Sequence, residues 1–379
     1  MRNQINLLAL LLLPGMLLAT QSGESLRHAQ ELESQGHYQE AAHLYEELAR
    51  ETPDSVEILN HLGVVKARLG KYGEAIAAYQ KALKLQPDSA PLLANLGLAH
   101  FKSGDFAGAV PPLAHALRLE PQNSQVRTLL AMSYFGAGDY TRASRELEKL
   151  VPSDRPNPTL EYVLAESYLW SGQYDKVLRT FDSMLRHAPD SAATHMLMGQ
   201  AYDGLDRLAQ AIEEFRRAAE LDPRQPNVHF GLGYLYWKQR RFDEAGQEFR
   251  AELRNDPAHA QAMAYLGDVL VRHKDYEAAL PLLLEALKIS PKVRVAYLNL
   301  GIIYTAQKRF GEAVSNLKQA IRLDPAQADA HLRLAMAYQA MGHVQEAEAE
   351  RKEVARLQEK TRNELLQKIS GPPPVPALE

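Results

Sequence analysis

Thirteen histidines and many carboxylates give this chain the side chains that metal binding or proton transfer would need. Three of the histidines, His195, His229 and His331, occupy equivalent places in a 34-residue period. If His195 and His229 are adjacent across neighbouring helices, two imidazoles and a carboxylate could hold zinc. The alternative is that histidine only fills a packing position there. We adopt this alternative, and predict no metal and no cofactor.

The sequence lacks the signatures of the common enzyme classes. There is no glycine-rich phosphate loop, no HExxH zinc motif, no GxSxG nucleophile elbow and no cysteine. Acidic pairs such as Glu213 and Glu214 lie in charged stretches that are typical of solvated helix faces. Since nothing places an acid against a base in a pocket, we predict that the protein is not an enzyme.

Composition excludes one further class of partner. The chain is 46% hydrophobic and 24% charged, with a formal net charge of -4. A nucleic-acid-binding protein usually carries a strong basic excess on one surface, and this chain has none. We therefore expect no nucleic-acid partner.

The first twenty residues differ from the rest of the chain. Arg2 precedes an apolar stretch over residues 7–19, and polar sequence follows from Thr20. The stretch is shorter than the roughly 20 apolar residues of a membrane-spanning helix, and it has the length of a signal-peptide core. We predict a signal peptide at residues 1–20 and export to the periplasm or the medium. An uncleaved membrane anchor is the alternative.

Prolines mark an internal repeat, because they recur at intervals of 34 residues or twice that number. They are Pro53, Pro87, Pro121, Pro189, Pro223, Pro257, Pro291 and Pro325. Small residues keep the same period. Ten residues after a proline position lies glycine or alanine, and the glycines are Gly63, Gly97, Gly199, Gly233, Gly267 and Gly301. Missing such a period would misassign the whole fold, so the repeat decides the architecture.

Each unit contains two apolar patterns of helical period that are separated by a turn. Six of the ten turns carry glycine, which suits a helix end with positive φ. Asp206, Arg240, Lys274 and Lys308 stand at the other four turns. We expect the glycine or alanine of the first helix to face a small residue of the second, which would let the two helices approach closely.

The pattern resembles the tetratricopeptide repeat, which has 34 residues in a helix–turn–helix unit. One unit matches nearly throughout. Its matching residues are Leu232, Gly233, Tyr236, Phe242, Ala245, Phe249 and Pro257. The resemblance implies an all-α, right-handed superhelical solenoid of about ten repeats over residues 21–361. Residues 362–379 would form the end of a capping helix and a disordered proline-rich tail. The usual tryptophan of the first helix is replaced throughout, for example by Arg127 and Glu161.

In this family the first helices are expected to line a concave groove. Phe230, Tyr234 and Trp237 are spaced by four and then three residues, which places them on one face of a first helix. Further aromatic residues lie at comparable places in earlier units. They are Phe101, Phe135, Tyr162 and Trp170. Rings along a groove suit the capture of a peptide, and the alternative is packing between repeats.

We therefore predict a non-catalytic scaffold that binds a protein or peptide partner in its groove within a cell-envelope assembly. The alternative function is a carbohydrate-binding or glycan-processing accessory protein, because aromatic rings also stack on sugars. Gln200 and Asp203 are the polar residues beside the rings that would serve a sugar. Homodimerisation through end repeats is left open.

Overall fold

The computed structural model describes residues 14–151, 157–187 and 190–370. Every regular element in these ranges is an α-helix, and the predicted all-α repeat fold is confirmed. The chain divides into two compact units, Met1–Ala188 and Pro189–Glu379. We call them unit 1 and unit 2.

Unit 1 contains five helical hairpins. Its helices are α1 (Pro14–Ser34), α2 (Tyr38–Glu51), α3 (Val56–Arg68), α4 (Tyr72–Leu85), α5 (Ala90–Lys102), α6 (Phe106–Leu119), α7 (Ser124–Gly136), α8 (Tyr140–Leu147), α9 (Pro158–Trp170) and α10 (Tyr174–His187). Each helix packs against the next one along the chain. First helices also contact one another, α3 with α5 and α5 with α7, so they lie side by side.

Unit 2 repeats this arrangement. Its helices are α11 (Ala192–Gly204), α12 (Leu208–Leu221), α13 (Val228–Lys238), α14 (Phe242–Asn255), α15 (Ala260–Arg272), α16 (Tyr276–Ile289), α17 (Arg294–Ala306), α18 (Phe310–Leu323), α19 (Ala328–Met341) and α20 (Val344–Ser370). The first helices α15, α17 and α19 contact one another in order. In each unit we call the surface of the odd-numbered helices the first-helix face.

The period of the small residues reflects a close approach between the two helices of a hairpin. The expected partner was a small residue of the second helix, but the glycines face mainly a large one. A Cβ on Gly267 would lie 2.5 Å from Leu283 Cδ2, and a Cβ on Gly233 would lie 2.8 Å from Phe249 Cε1. Each glycine therefore makes room for a buried leucine or aromatic ring that fills the hairpin core.

The turns between paired helices share one backbone conformation. Gly70 and the other turn glycines have positive φ, as the sequence predicts. Asp206, Arg240, Lys274 and Lys308 adopt the same left-handed conformation, with φ between 58° and 62°. The repeat geometry therefore imposes this conformation on residues with a Cβ, which disfavour it.

Two sequence predictions fall largely outside the described residues. The predicted signal peptide covers residues 1–20, of which 1–13 are outside, and α1 begins at Pro14. The tail from residue 371 is outside as well, and α20 ends at Ser370. Both assignments stay predictions. No helix in the described ranges is long and apolar enough to cross a membrane.

Candidate functional site

Four rings form a cluster on the first-helix face of unit 2. Phe230, Tyr234 and Trp237 share one face of α13, and Tyr265 of α15 packs against all three. The ring centroid of Tyr265 lies 6.0, 5.5 and 5.2 Å from the ring centroids of Phe230, Tyr234 and Trp237, respectively. All four rings are partly buried. The cluster therefore joins two repeats and still presents ring surface to solvent.

A buried carboxylate fixes the start of α13 and thereby the position of Phe230. Asn227 precedes the helix in a left-handed conformation, with φ 66°, and does not cap it with its side chain. The side chain of Glu252 on α14 caps the helix instead. Its two carboxylate oxygens accept from the backbone N–H groups of Asn227, at 3.1 Å, and Phe230, at 3.0 Å. Glu252 is 1% exposed, so this cap is shielded from water and positions the ring firmly.

Trp237 is held by a polar network that spans three repeats. Its indole Nε1 donates to Asp268 Oδ2 at 2.7 Å, and Arg272 Nε donates to the same oxygen at 2.6 Å. Asn299 Nδ2 donates to Asp268 Oδ1 at 3.1 Å. Asp268 is 5% exposed, and Asn299 is fully buried. The network explains why Trp237 is fixed beside Tyr234, in a nearly parallel stack with centroids 6.0 Å apart.

A cavity of about 390 Å³ opens beside these rings. Phe230, Tyr234 and Tyr265 form its aromatic wall, and the loop before α17 together with the start of that helix forms the opposite side. The remaining lining residues are Gln261, Ser290, Lys292, Val293, Arg294 and Val295. We call it the ring cavity. Burial raises the pKa of Tyr265 to about 12, so this phenol is neutral at physiological pH.

The first-helix face of unit 1 carries a different cavity, of about 590 Å³, between α5 and α7. Its apolar lining residues are Ala94, Leu98, Phe101, Val126, Leu129 and Met132. Leu98 is 42% exposed. Asn95 Nδ2 donates to Asn60 Oδ1 at 3.1 Å on the same face. We call this site the apolar cavity.

The other predicted aromatic residues are placed separately. Phe135 and Trp170 both contact the ring of Tyr140, with centroids 5.4 and 6.1 Å away. Trp170 is 61% exposed and lies at the hairpin turns, because it falls one residue beyond the repeat position of Phe135. Tyr162 is at the repeat position of Phe230, four residues before Glu166 on α9. Burial raises the pKa of both side chains.

The histidines of the 34-residue period contact glutamates inside their own repeats. Each Nδ1 contacts a glutamate of the second helix, and the distances are 2.6 Å for His195–Glu214, 2.7 Å for His229–Glu248 and 2.6 Å for His331–Glu350. Arg127 and Glu146 make the equivalent pair at 2.6 Å. Histidine therefore has a structural role here that needs no metal. Within the described ranges, no group of three or more histidine, aspartate or glutamate residues could hold a metal ion.

The 34-residue period does not reveal several residues of the ring cluster and its network, because these residues are related by a different step along the sequence. Trp237 to Asp268 and Asp268 to Asn299 are both steps of 31 residues, one repeat less one helical turn. Tyr234 and Tyr265 are related by the same step. Comparing side chains at this spacing would have shown the cluster. Glu252, Lys292 and Arg294 carried no signal that we recognise.

Sequence comparisons match most of the repeat array to tetratricopeptide-repeat models. Models described as the tetratricopeptide repeat match residues 26–90 and 230–293, and also 66–132, 100–161 and 134–201. A TPR repeat model matches residues 199–239 and 301–342. Together the matches cover residues 26–293 and 301–342, which is well over half of the chain. The comparison with curated proteins gives no match.

Solved structures of repeat proteins resemble this chain weakly. YrrB, "a TPR protein with an unusual peptide-binding site", is 22% identical over 50% of this chain and 97% of its own, with TM-score 0.38. Yeast Tom70 is 18% identical over 93% and 95%, with TM-score 0.39. The C-terminal part of a repeat protein from Cytophaga hutchinsonii is 19% identical over 64% and 99%, with TM-score 0.49. Likenesses at this level carry no argument about function.

Proposed function

This chain belongs to the tetratricopeptide-repeat family, and we propose that it is a non-catalytic scaffold that holds a peptide segment of a partner protein. The segment binds on the first-helix face of unit 2, at the ring cavity. The family fold itself indicates protein–protein interaction, and the choice of this cavity rests on its side chains. Tyrosine is enriched among the residues that anchor interfaces, and partly buried rings offer apolar area with little loss of side-chain freedom.

The observation that carries the proposal is the fixed aromatic wall of the ring cavity. Glu252 positions Phe230, and Asp268 fixes Trp237 behind Tyr234. A surface that is already ordered loses less entropy on binding than a mobile one, so a peptide gains more from the same contacts. The cavity volume of about 390 Å³ lies within the range of small binding pockets, roughly 300–1,000 Å³.

One of the two polar residues that would serve a sugar is already paired. Asp203, which could have received sugar hydroxyls, accepts from Lys238 Nζ at 2.5 Å. Ring stacking on sugars usually needs free polar side chains beside the ring to fix the hydroxyl groups. With Asp203 already paired, the sugar alternative loses one of the two polar residues on which it depends.

We further propose that the scaffold works in the cell envelope after export, on the basis of the apolar stretch at residues 7–19. The N-terminal sequence of the protein purified from its native source tests this. A mature chain that begins near residue 21 supports export with cleavage. A chain that retains residues 1–20 and sediments with membranes supports the anchor.

Filling the cavity without removing any packed ring tests the binding site. Gln261 is exposed at the cavity rim, so Gln261→Trp should block the cavity and leave the core intact. Gln80→Trp, at an exposed site on α4 of unit 1, is the matched control. Affinity capture from the native source with mass spectrometry should recover a partner with wild type and Gln80→Trp, and lose it with Gln261→Trp. Equal capture by all three folded proteins would contradict the site.

A further inference from the structure

We propose that the ring cavity selects an acidic peptide segment, in which an apolar or aromatic side chain enters between the rings and a neighbouring carboxylate meets Lys292 and Arg294. This inference rests on the proposed function and specifies the chemistry of the partner. It comes from the charges on the side of the cavity opposite the rings.

Among the residues that the structure describes, the lining of the ring cavity contains two cations and no carboxylate. Lys292 is exposed and makes no ion pair within the described part of the chain. Arg294 pairs with Asp329, and its buried Nε has no hydrogen-bond partner among the described residues. Because Asp329 offsets only one of the two positive charges, the cavity side at α17 keeps a net positive charge. A carboxylate of the bound segment would neutralise this remaining positive charge.

The backbone at the start of α17 adds to this potential. Val293 is the N-cap residue and supplies no side-chain acceptor to the first turn, whereas Ser55, Asn123, Asn157 and Ser191 do so for other first helices. Backbone N–H groups at an uncapped helix start carry partial positive charge. Val293, Arg294 and Val295 all line the cavity, so this charge acts at the same place as the two cations.

The aromatic wall adds selectivity for an apolar side chain of the peptide. Phe230, Tyr234 and Tyr265 offer ring surface to an apolar side chain, and the cationic side lies across the cavity from them. A lysine or arginine of a peptide would also be attracted to the ring faces. Lys292 and Arg294 would repel such a cation. Both sides of the cavity therefore favour only a peptide in which an apolar residue is next to an acidic one.

Fluorescence anisotropy with four fluorescein-labelled, acetylated and amidated decapeptides tests the proposal. The first has a central phenylalanine flanked on each side by two aspartates, and the second has lysines in place of the aspartates. The third has serines there, and the fourth keeps the aspartates with a central serine. The acidic phenylalanine peptide should bind most tightly, with an affinity that falls as salt increases. Equal or tighter binding of the lysine peptide would overturn the inference.

Variants that change a single charge test whether the preference for the acidic peptide arises at Lys292. Lys292→Glu should weaken binding of the acidic phenylalanine peptide roughly fivefold or more, since it replaces attraction by repulsion at a partly shielded site. Lys292→Arg should keep the binding, and Lys84→Glu, an equal charge change at an exposed site on α4, should leave it unchanged. Binding that is insensitive to Lys292→Glu would overturn the proposal.

Failure of this inference can be told apart from failure of the proposed function. If none of the four peptides binds at millimolar concentration, the acidic specificity is wrong. Partner capture that is lost with Gln261→Trp would still support the scaffold. If capture is unaffected by Gln261→Trp, the proposed function itself fails at this cavity.

Discussion

The two units share one repeat but differ in what they present on the first-helix face. In unit 1, one repeat position holds Val64, Leu98 and Met132 in three successive repeats, and Leu98 and Met132 line the apolar cavity. In unit 2 the same position holds Tyr234 and Asp268 in two successive repeats. There the position is part of an aromatic and hydrogen-bonded cluster that crosses repeats. The repeat thus conserves the helix contacts, and its exposed positions set the binding chemistry.

The turns differ between the units in the same way. All five hairpin turns of unit 1 contain a glycine with positive φ, and four turns of unit 2 contain a residue with a Cβ in that conformation. Those four residues are Asp206, Arg240, Lys274 and Lys308. Unit 2 therefore holds less favourable turns within the same fold. Its close packing and polar network must offset this cost.

Asp268→Ala should have the largest effect on stability, because it removes the acceptor of the Trp237 indole and one of the two acceptors of the buried Asn299 amide. Each unsatisfied group costs about 1–3 kcal/mol, so we expect a loss of about 2–4 kcal/mol. Leu98→Ala, at the equivalent repeat position in unit 1, should cost less than about 1 kcal/mol because Leu98 is 42% exposed.

Urea unfolding checks this pair of variants. The chain has two tryptophans, Trp170 in unit 1 and Trp237 in unit 2. In a Trp170→Phe background the fluorescence of Trp237 reports on unit 2 alone, and circular dichroism follows both units. Similar losses for Asp268→Ala and Leu98→Ala would show that the network contributes little.

Sequence periodicity could predict the helices, the hairpins and the shared face of Phe230, Tyr234 and Trp237, because each depends on spacing along one chain segment. The 34-residue period alone does not show that Tyr265 completes the cluster, because that contact follows the 31-residue step between neighbouring repeats. Trp170 shows that an approximate match to the period can mislead. It lies one residue from the repeat position of Phe135 and Trp237, and that single step moves its ring to the hairpin turns.

Lys274→Gly should stabilise unit 2 by about 0.5–1 kcal/mol, because glycine adopts positive φ without the steric cost that a Cβ brings. Lys274 is exposed, so few contacts are lost. The measurement is the urea midpoint followed by Trp237 fluorescence. Gln247→Gly, at an exposed site in the middle of helix α14 of unit 2, is the control and should destabilise by about 1 kcal/mol. A destabilised Lys274→Gly protein would show that the turn is not strained.

The smallest expected effect is a pH dependence of stability in unit 2. The hydrogen bond that His229 donates to Glu248 raises the pKa of His229 above its ordinary value of about 6.5, and the negative charges of Glu248 and Glu252 raise it further. The folded state therefore holds the proton more tightly than the unfolded state. This contribution to stability is complete below the unfolded pKa and is lost as pH rises through the higher folded pKa.

His229→Leu isolates this contribution, since leucine stands at the same repeat position in unit 1, as Leu59 and Leu93. Wild type should lose more stability than His229→Leu between pH 6 and 8.5, by about 1 kcal/mol at most, since the pair keeps some contact with solvent. Urea midpoints of both proteins at the two pH values give this difference, and other titrating groups largely cancel in it. Equal pH dependence would mean that His229 and Glu248 pack together without a net electrostatic contribution.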